Sequence, residues 1–515
     1  MKSCQSILRI CFSLLFLSGW IPTVLADDSR LDQLIEHGKE EIYHFRLDSA
    51  LIIFRQVQQE FPELPHGFFY ESYITAIYYS QDRTNSNLDS LLKRSIQSAV
   101  EKGESYRNKA DHQAEAAYYL GVSHGLLGIY HVLNSNYFKG YIHGSRGKNF
   151  LEETVKIDSS YYDAYLGLGI FHYYVDLLPG VVKFFAGILG FHGDRALGIK
   201  EILITAAKGR FFKVEGDFTY AVMRYFLEGA YSSSLVTWQR LYKLYPENPA
   251  LSLLIGYHYR RFGRIDQAEK YFNSVSESYI GKLPQIIVMK YYNLGVCYYR
   301  LNDFERSEKF FDRLLDTSLR KSQYYQSAIA YYKGMLNGIQ ARQSQAAYYF
   351  GSIRHTQETQ YWYYISRFYS KYPFDQWVRD YLIAENHVYS FNSKQAASEI
   401  EALLNALNEE HRLPSNPDLI FLIKDLEARL AFQRGQVQKS RQIFETFIKD
   451  LGNFDDDFQR AWILIGYARV LRESKAWQEA YKVLEKAKAT DDEYTRLIIE
   501  REKYLLKNSE LKAKP

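Results

Sequence analysis

The residue types best suited to chemistry gather between His124 and Asp194. His124, His131, His143, His172 and His192 lie in this stretch. Imidazoles ligate a metal or relay protons where two or three converge with a carboxylate such as Asp194. Only His124 and His131, about two helical turns apart, are spaced to share a helix face. The favoured reading is therefore of separate half-buried or exposed histidines beside long loops. The segment Gly140-Tyr-Ile-His-Gly-Ser-Arg-Gly-Lys148-Asn149 has the outline of a phosphate loop. Its chemistry departs from that outline, because Ile142 stands where a glycine is required and Asn149 where a hydroxyl residue would hold magnesium. An ordinary loop is expected there. No His-Glu-x-x-His, Cys-x-x-Cys or Gly-x-Ser-x-Gly occurs, so zinc hydrolysis and serine esterase chemistry lack their residues. A non-enzymatic protein is expected, with no cofactor, no metal and no small-molecule substrate.

A second stretch is apolar. Leu177-Leu-Pro-Gly-Val-Val-Lys-Phe-Phe-Ala-Gly-Ile-Leu-Gly-Phe191 carries a single charge, Lys183. Phe184, Phe185 and Phe191 would be the contact residues if it dips into a membrane surface or covers an apolar ligand. It lacks the basic face of an interfacial helix, so packing as a short helix against its neighbours is favoured.

The elements that must position these residues recur with a period of about 34 residues. From Pro249, Gly256 and Tyr259 fall on one predicted helix, with Ala268 and Phe272 on a second after a turn at Gly263. From Val288 the pattern returns as Leu294, Gly295, Tyr298, Ser307, Phe311 and Leu314. From Glu215 it reads Phe218, Tyr225, Gly229, Ser234, Trp238 and Leu241, closing on Pro246. The earliest copy, from Leu31, places Gly38, Ala50, Phe54, Val57 and Pro62, with its turn near Phe45. Further copies begin near Ser327, Trp377, Phe421 and Ala461, while those between Phe68 and Ala207 are stretched or divergent.

Small and aromatic residues at these offsets resemble the tetratricopeptide repeat (TPR) family. The resemblance implies an all-α fold, an α-α superhelix (TPR solenoid) of about nine helix pairs with an inserted apolar segment at 175–193. Residues 158–200, where a Leu-Pro segment precedes the helix start at Gly193-Asp194-Arg195, look like the TPR family linked to inclusion-body clearance and lipid droplets. Similar segments occur in bacterial TPR proteins. The expected organisation is a leader at 1–26, a divergent region at 27–214, regular units at 215–360, and C-terminal units at 361–508 ending in a capping helix from Glu493. The segments 361–373 and 409–417 break the phase and are read as flexing points.

The resemblance also implies a function, the holding of a protein or peptide in the concave surface. Tyr257, Arg260, Arg261, Tyr292, Tyr299, Arg300 and Tyr331 map to positions that line this groove in the family. Tyrosine offers contact area and arginine a forked set of donors for carboxylates. Leu253 and Tyr257 replace the Lys and Asn of the clamp by which relatives hold a chaperone tail, so that clamp is not inferred. A membrane- or lipid-associated adaptor using 177–191 is the alternative.

Composition sets the remaining bounds. The 515 residues are 47% hydrophobic and 24% charged, with 46 Tyr and 32 Phe, as in a folded soluble protein. The formal charge of +4 is too near neutral to indicate nucleic acid as a partner. Lys2 and Arg9, the apolar run Ile10 to Leu17 and the small-x-small site Val24-Leu25-Ala26 read as a secretory signal cleaved after Ala26. The mature chain would keep Cys297 alone of three cysteines, with no intramolecular disulfide. No Asn-x-Ser/Thr sequon occurs, which fits an exported protein, periplasmic or secreted, of a bacterial envelope.

Overall fold

The computed structural model describes residues 30–108, 112–177, 193–316, 319, 321–409, 413–487 and 492–513. The expected leader 1–26, His192 and the proposed apolar contacts Phe184, Phe185 and Phe191 lie outside the described residues. Every regular element among the described residues is helical, from Arg30–Tyr43 to Glu493–Ala513, and no strand occurs among them. The fold is all-α and of the TPR solenoid type, built of consecutive helix pairs.

One backbone device closes nine of those pairs among the described residues. Phe45, Ser135, Gly229, Gly263, Asn302, Ala341, Phe391, Gly435 and Lys475 each take a left-handed φ of 57° to 73° between two helices. The following N–H then returns to a carbonyl of the first helix, as from Arg46 to Glu41 at 2.7 Å, Asp303 to Tyr298 at 3.0 Å and Ala476 to Leu471 at 2.9 Å. This is the Schellman arrangement, which satisfies carbonyls left unpaired at a helix end. The turn near Phe45 and the turn at Gly263 stand where the sequence places them.

Packing within each pair follows the small-against-aromatic pattern. A Cβ added at Gly38 would meet the Phe54 ring at 2.5 Å, one at Gly256 the Phe272 ring at 2.6 Å, and one at Gly295 the Phe311 ring at 2.9 Å. The small residue of the second helix ties back to the first, since the Ser307 hydroxyl donates to the Gly295 carbonyl at 2.9 Å. Ser440 donates to the Ala428 carbonyl in the same way at 2.8 Å.

The chain forms two compact units, one comprising the residues up to Ile255 with Val275–Ile286, the other Gly256–Ser274 with Ile287 onward. In the first unit a buried ion pair joins the helices Arg30–Tyr43 and Lys213–Glu228. The Lys39 ammonium donates to Glu215 at 2.6 Å, both side chains being at most 3% exposed. The Tyr43 hydroxyl donates to the same carboxylate at 3.3 Å, and Lys39 lies 3.8 Å over the Phe212 ring. Burial shifts Lys39 downward and Glu215 upward in pKa, and their mutual attraction opposes both shifts.

Two expectations are corrected. The loop expected over 140–149 is helix, since Tyr137–Ile157 is continuous and capped by Asn136, whose side chain accepts from the Lys139 N–H. Its glycines bring two helices into backbone contact instead of forming a loop. A Cβ at Gly128 would lie 2.9 Å from the Gly144 nitrogen, and one at Gly147 would lie 2.8 Å from the Gly121 carbonyl. Likewise 361–373, read as a flexing point, holds most of the helix Gln360–Ser370, anchored by the buried Trp362 and Phe368.

Candidate partner-binding site

The helix Pro249–Arg261 carries the first three candidate residues in its last turns. Proline suits the first helical position, and the basic run His258, Arg260 and Arg261 suits the negative end of the helix dipole. Tyr257 and Arg261, four residues apart, share a face, and Arg261 hydrogen-bonds the Tyr257 hydroxyl. Arg260 lies with its guanidinium 5.2 Å from the Tyr257 ring centre. Tyr257 and Arg260 are half-buried and Arg261 is exposed.

The other four candidates are placed differently. Tyr292, Tyr299 and Tyr331 are buried, with exposures of 8%, 2% and 8%. Tyr292 packs edge-on to Tyr325 and Tyr332, Tyr299 against Phe304 and Tyr332, and Tyr331 against Trp362. They fill space between layers of helices, and this corrects the expectation that all three face a groove. Arg300 is held by the helix Gln376–Tyr389. It donates to Glu385 at 3.1 Å and to the Asn386 side-chain carbonyl at 2.8 Å, and stacks 3.8 Å from the Tyr389 ring centre. Its fork is already occupied, which corrects its assignment as a partner contact.

Three helices complete the patch with residues the sequence reading passed over. Tyr324, on Gln323–Ile339, is 42% exposed, and Tyr494, on Glu493–Ala513, is 36% exposed. Tyr494 meets the Tyr361 ring at 5.4 Å. Arg501 and Glu502 follow Tyr494 two turns along the same helix, and Arg469 and Arg472 come from Asp457–Glu473. Glu502 is 2% exposed and accepts from Arg469 at 2.9 Å, Arg472 at 2.5 Å and Arg501 at 3.2 Å. Burial alone would raise its pKa, but the three guanidiniums hold it down at about 2. The i, i+7 spacing of Tyr494 and Arg501 was a legible signal, hidden under the reading of this helix as a cap.

The patch is electropositive. Burial by itself would raise the Tyr257 hydroxyl, yet Arg261, Arg260 and Arg501 outweigh it and lower its pKa. Tyr494 is raised to about 12 by burial and by Tyr257, with Arg261, Arg501 and Arg469 opposing. Among the described residues Arg260 has no hydrogen-bond acceptor, and its Nε is buried without a partner. Burial by itself would lower its pKa, but Tyr292, Tyr257, Cys297 and Tyr332 together outweigh it and raise it.

The histidines of the first unit come closer than their spacing suggested. His143 stands between His124 and His131, its Nδ1 3.2 Å from that of His124 and its ring 5.4 Å from both partners. The three lie on the glycine-packed helices Gln113–Leu133 and Tyr137–Ile157, not beside loops. Burial, with help from His143 and Arg146, takes His124 down to about 4, and His131 and His143 are lowered too, chiefly by burial. His172 pairs with Glu201 at 2.7 Å, and Asp194 caps Arg195–Lys208 by accepting from the Leu197 N–H. No group of three His, Cys, Asp or Glu among the described residues is arranged to hold a metal ion. None of the described helices is long and apolar enough to cross a membrane.

Residues 155–379 match the family model of Iml2/Tetratricopeptide repeat protein 39, a span that contains the 158–200 resemblance. No curated protein matches the sequence. Among solved structures the chain is similar to the human IFIT1 dimer with m7Gppp-AAAA, at 12% identity over 79% of this chain and 95% of that one, with a TM-score of 0.37. Yeast Tom70 is similar at 13% identity over 93% and 90%, with a TM-score of 0.28. The APC/C hetero-tetramer Cut9-Hcn1 is similar at 12% identity over 95% and 94%, with a TM-score of 0.27. These values transfer no partner to the chain. The match over 155–379 and the repeated small-against-aromatic helix pairs make the chain similar to the tetratricopeptide-repeat proteins.

Proposed function

We propose that this protein is an exported, non-enzymatic TPR scaffold that holds a protein or peptide segment on the face formed by Tyr257, Arg260 and Arg261. The observation that carries the reading is a half-open face where these residues lie within electrostatic reach of the exposed Tyr324 and Tyr494. Rigid aromatic rings beside arginine are the composition of strong protein-binding surfaces, because they bring large contact area with little loss of side-chain freedom. Tyr292, Tyr299, Arg300 and Tyr331 act in this reading as the packed support that fixes the surface. The leader 1–26 directs export, and the working chain begins at Asp27.

A photo-reactive residue at position 261 tests the reading in intact cells. Capture of a defined protein, lost when Tyr257 and Tyr324 are both replaced by Ala in a chain of unchanged melting temperature, is the expected result. Capture unaffected by the double replacement would overturn the assignment of this face. Transfer of the label to lipid alone would move the function to a membrane surface.

A further inference from the structure

We propose that Arg260, flanked by Arg261 and Arg501, receives an oxyanion carried on a side chain of the bound peptide, a carboxylate or a phosphate ester. This deepens the scaffold reading and rests on it. Four observations within the second unit lead there.

Arg260 is half-buried, and no acceptor among the described residues meets its guanidinium. A charge removed from water is ordinarily paired, because an uncompensated one is among the most costly features a fold can hold. The Tyr257 ring, 5.2 Å from the guanidinium centre, supplies part of the compensation through its π face. A ring face satisfies no N–H donor, so the fork remains available for two oxygen atoms.

The neighbouring cations are short of carboxylates as well. Arg469, Arg472 and Arg501 share the single carboxylate of Glu502, and Arg472 also reaches Glu473 at 3.4 Å. Three guanidiniums on two carboxylates, with Arg260 beside them, leave the patch with excess positive charge although the whole chain is near neutral.

The positive field converges on one atom. Arg261 donates to the Tyr257 hydroxyl, and Arg260 and Arg501 act on the same oxygen. That oxygen marks a place where negative charge is favoured in spite of burial, and a ligand oxygen arriving beside it would meet the same field.

The patch is reachable from solvent. Arg261, Tyr324 and Tyr494 are solvent-exposed, while Arg501 is only 9% exposed behind them. Exposed tyrosines beside less exposed guanidiniums suit an anionic group on a short stem, stacked by its peptide against the rings. A continuous polyanion would instead require a basic stripe over the surface. The chain's overall charge of +4 gives no such stripe by composition.

Fluorescence anisotropy on the full mature chain tests the proposal with three labelled probes. One peptide has Glu and Gly in alternation, the second has Gln for every Glu, and the third has phosphoserine for every Glu. Binding of the Glu or the phosphoserine peptide, at least about tenfold tighter than the Gln peptide and weakened by added salt, is expected. Whichever of the two binds more tightly identifies the source of the oxyanion. Arg260→Ala should weaken that binding about tenfold or more, and Arg260→Lys, which keeps the charge without the fork, should recover only part of it. Melting temperatures of both variants separate site loss from unfolding, with Arg261→Gln as a second variant should Arg260→Ala unfold.

Equal binding of the Glu and Gln peptides, equal binding by the Arg260→Ala chain, or no binding of any probe would overturn the proposal. So would tighter binding of a single-stranded oligonucleotide that displaces the peptide. If photo-capture at position 261 persists in Arg260→Ala, the oxyanion assignment fails and the scaffold stands. If the peptides bind as expected but capture fails, the scaffold reading fails and the anion site stands.

Discussion

Lys39 and Glu215 lie 176 residues apart in the chain and 2.6 Å apart in the fold. Neither has solvent to fall back on, so the pair is worth less as an attraction than its disruption would cost. Lys39→Met should destabilise the first unit by about 3–5 kcal/mol, because it leaves the buried Glu215 carboxylate without its counter-charge. The double variant Lys39→Met/Glu215→Leu should recover most of that loss, since two apolar side chains can replace a buried ion pair. Urea denaturation of the wild type, the two single variants and the double variant checks this, and additive losses would refute it. Nothing in the local sequence marks Lys39 as buried, as it sits on a helix whose other polar residues face water. The same blindness produced the misreading of Tyr292, Tyr299 and Tyr331. Position within a repeat names the face of a helix, but burial depends on what the next layers lay over that face.

At the scale of the element, the helix pair was the most legible object in the sequence. The contacts of Gly38 with Phe54, Gly256 with Phe272 and Gly295 with Phe311 join residues 16 positions apart, so a local pattern suffices to anticipate them. The turns were only partly legible. Three of the nine left-handed positions are glycine, and those announce themselves, whereas Phe45, Ser135, Asn302, Ala341, Phe391 and Lys475 do not. Their conformation is imposed by the hydrogen bond returning to the first helix, at a cost of roughly 1–2 kcal/mol for a residue with a Cβ. Ala341 and Lys475 are exposed, so Ala341→Gly and Lys475→Gly should each stabilise the protein by about 0.5–1 kcal/mol once the extra backbone freedom of glycine is subtracted. Phe45→Gly should do the opposite, because the Phe45 ring is 7% exposed and packs against Tyr279 at 5.7 Å. Thermal melts of the three variants distinguish turn strain from side-chain packing. The glycines of Tyr137–Ile157 show the converse error, in which residues read as a loop serve a close helix contact and carry His143 to His124 and His131.

For the molecule as a whole, the three cysteines make export measurable. Cys297 is buried, and burial pushes its thiol up to about 12, so it should not react with a disulfide reagent in the native state. Cys4 and Cys11 precede the expected cleavage after Ala26. The mature protein should therefore titrate no thiol when folded and one in denaturant, whereas a chain that kept its leader would show three in denaturant. Reducing agent should leave the melting temperature of the mature chain unchanged, since no disulfide contributes to it. The fold class and repeat type were legible at this scale because they rest on periodicity and composition. The candidate site was half legible, through Tyr257, Arg260 and Arg261, and its other half arrives from Tyr324, Tyr494, Arg469 and Arg501 on helices distant in sequence.

The carboxylate shared by three arginines also sets an order on biosynthesis. Glu502 follows Arg472 by 30 residues and Arg469 by 33, so both cations emerge from the ribosome well before their counter-ion. Until the helix Glu493–Ala513 has been made, the helix Asp457–Glu473 carries charge that the interior cannot neutralise. Closure of the second unit therefore waits for the helix Glu493–Ala513.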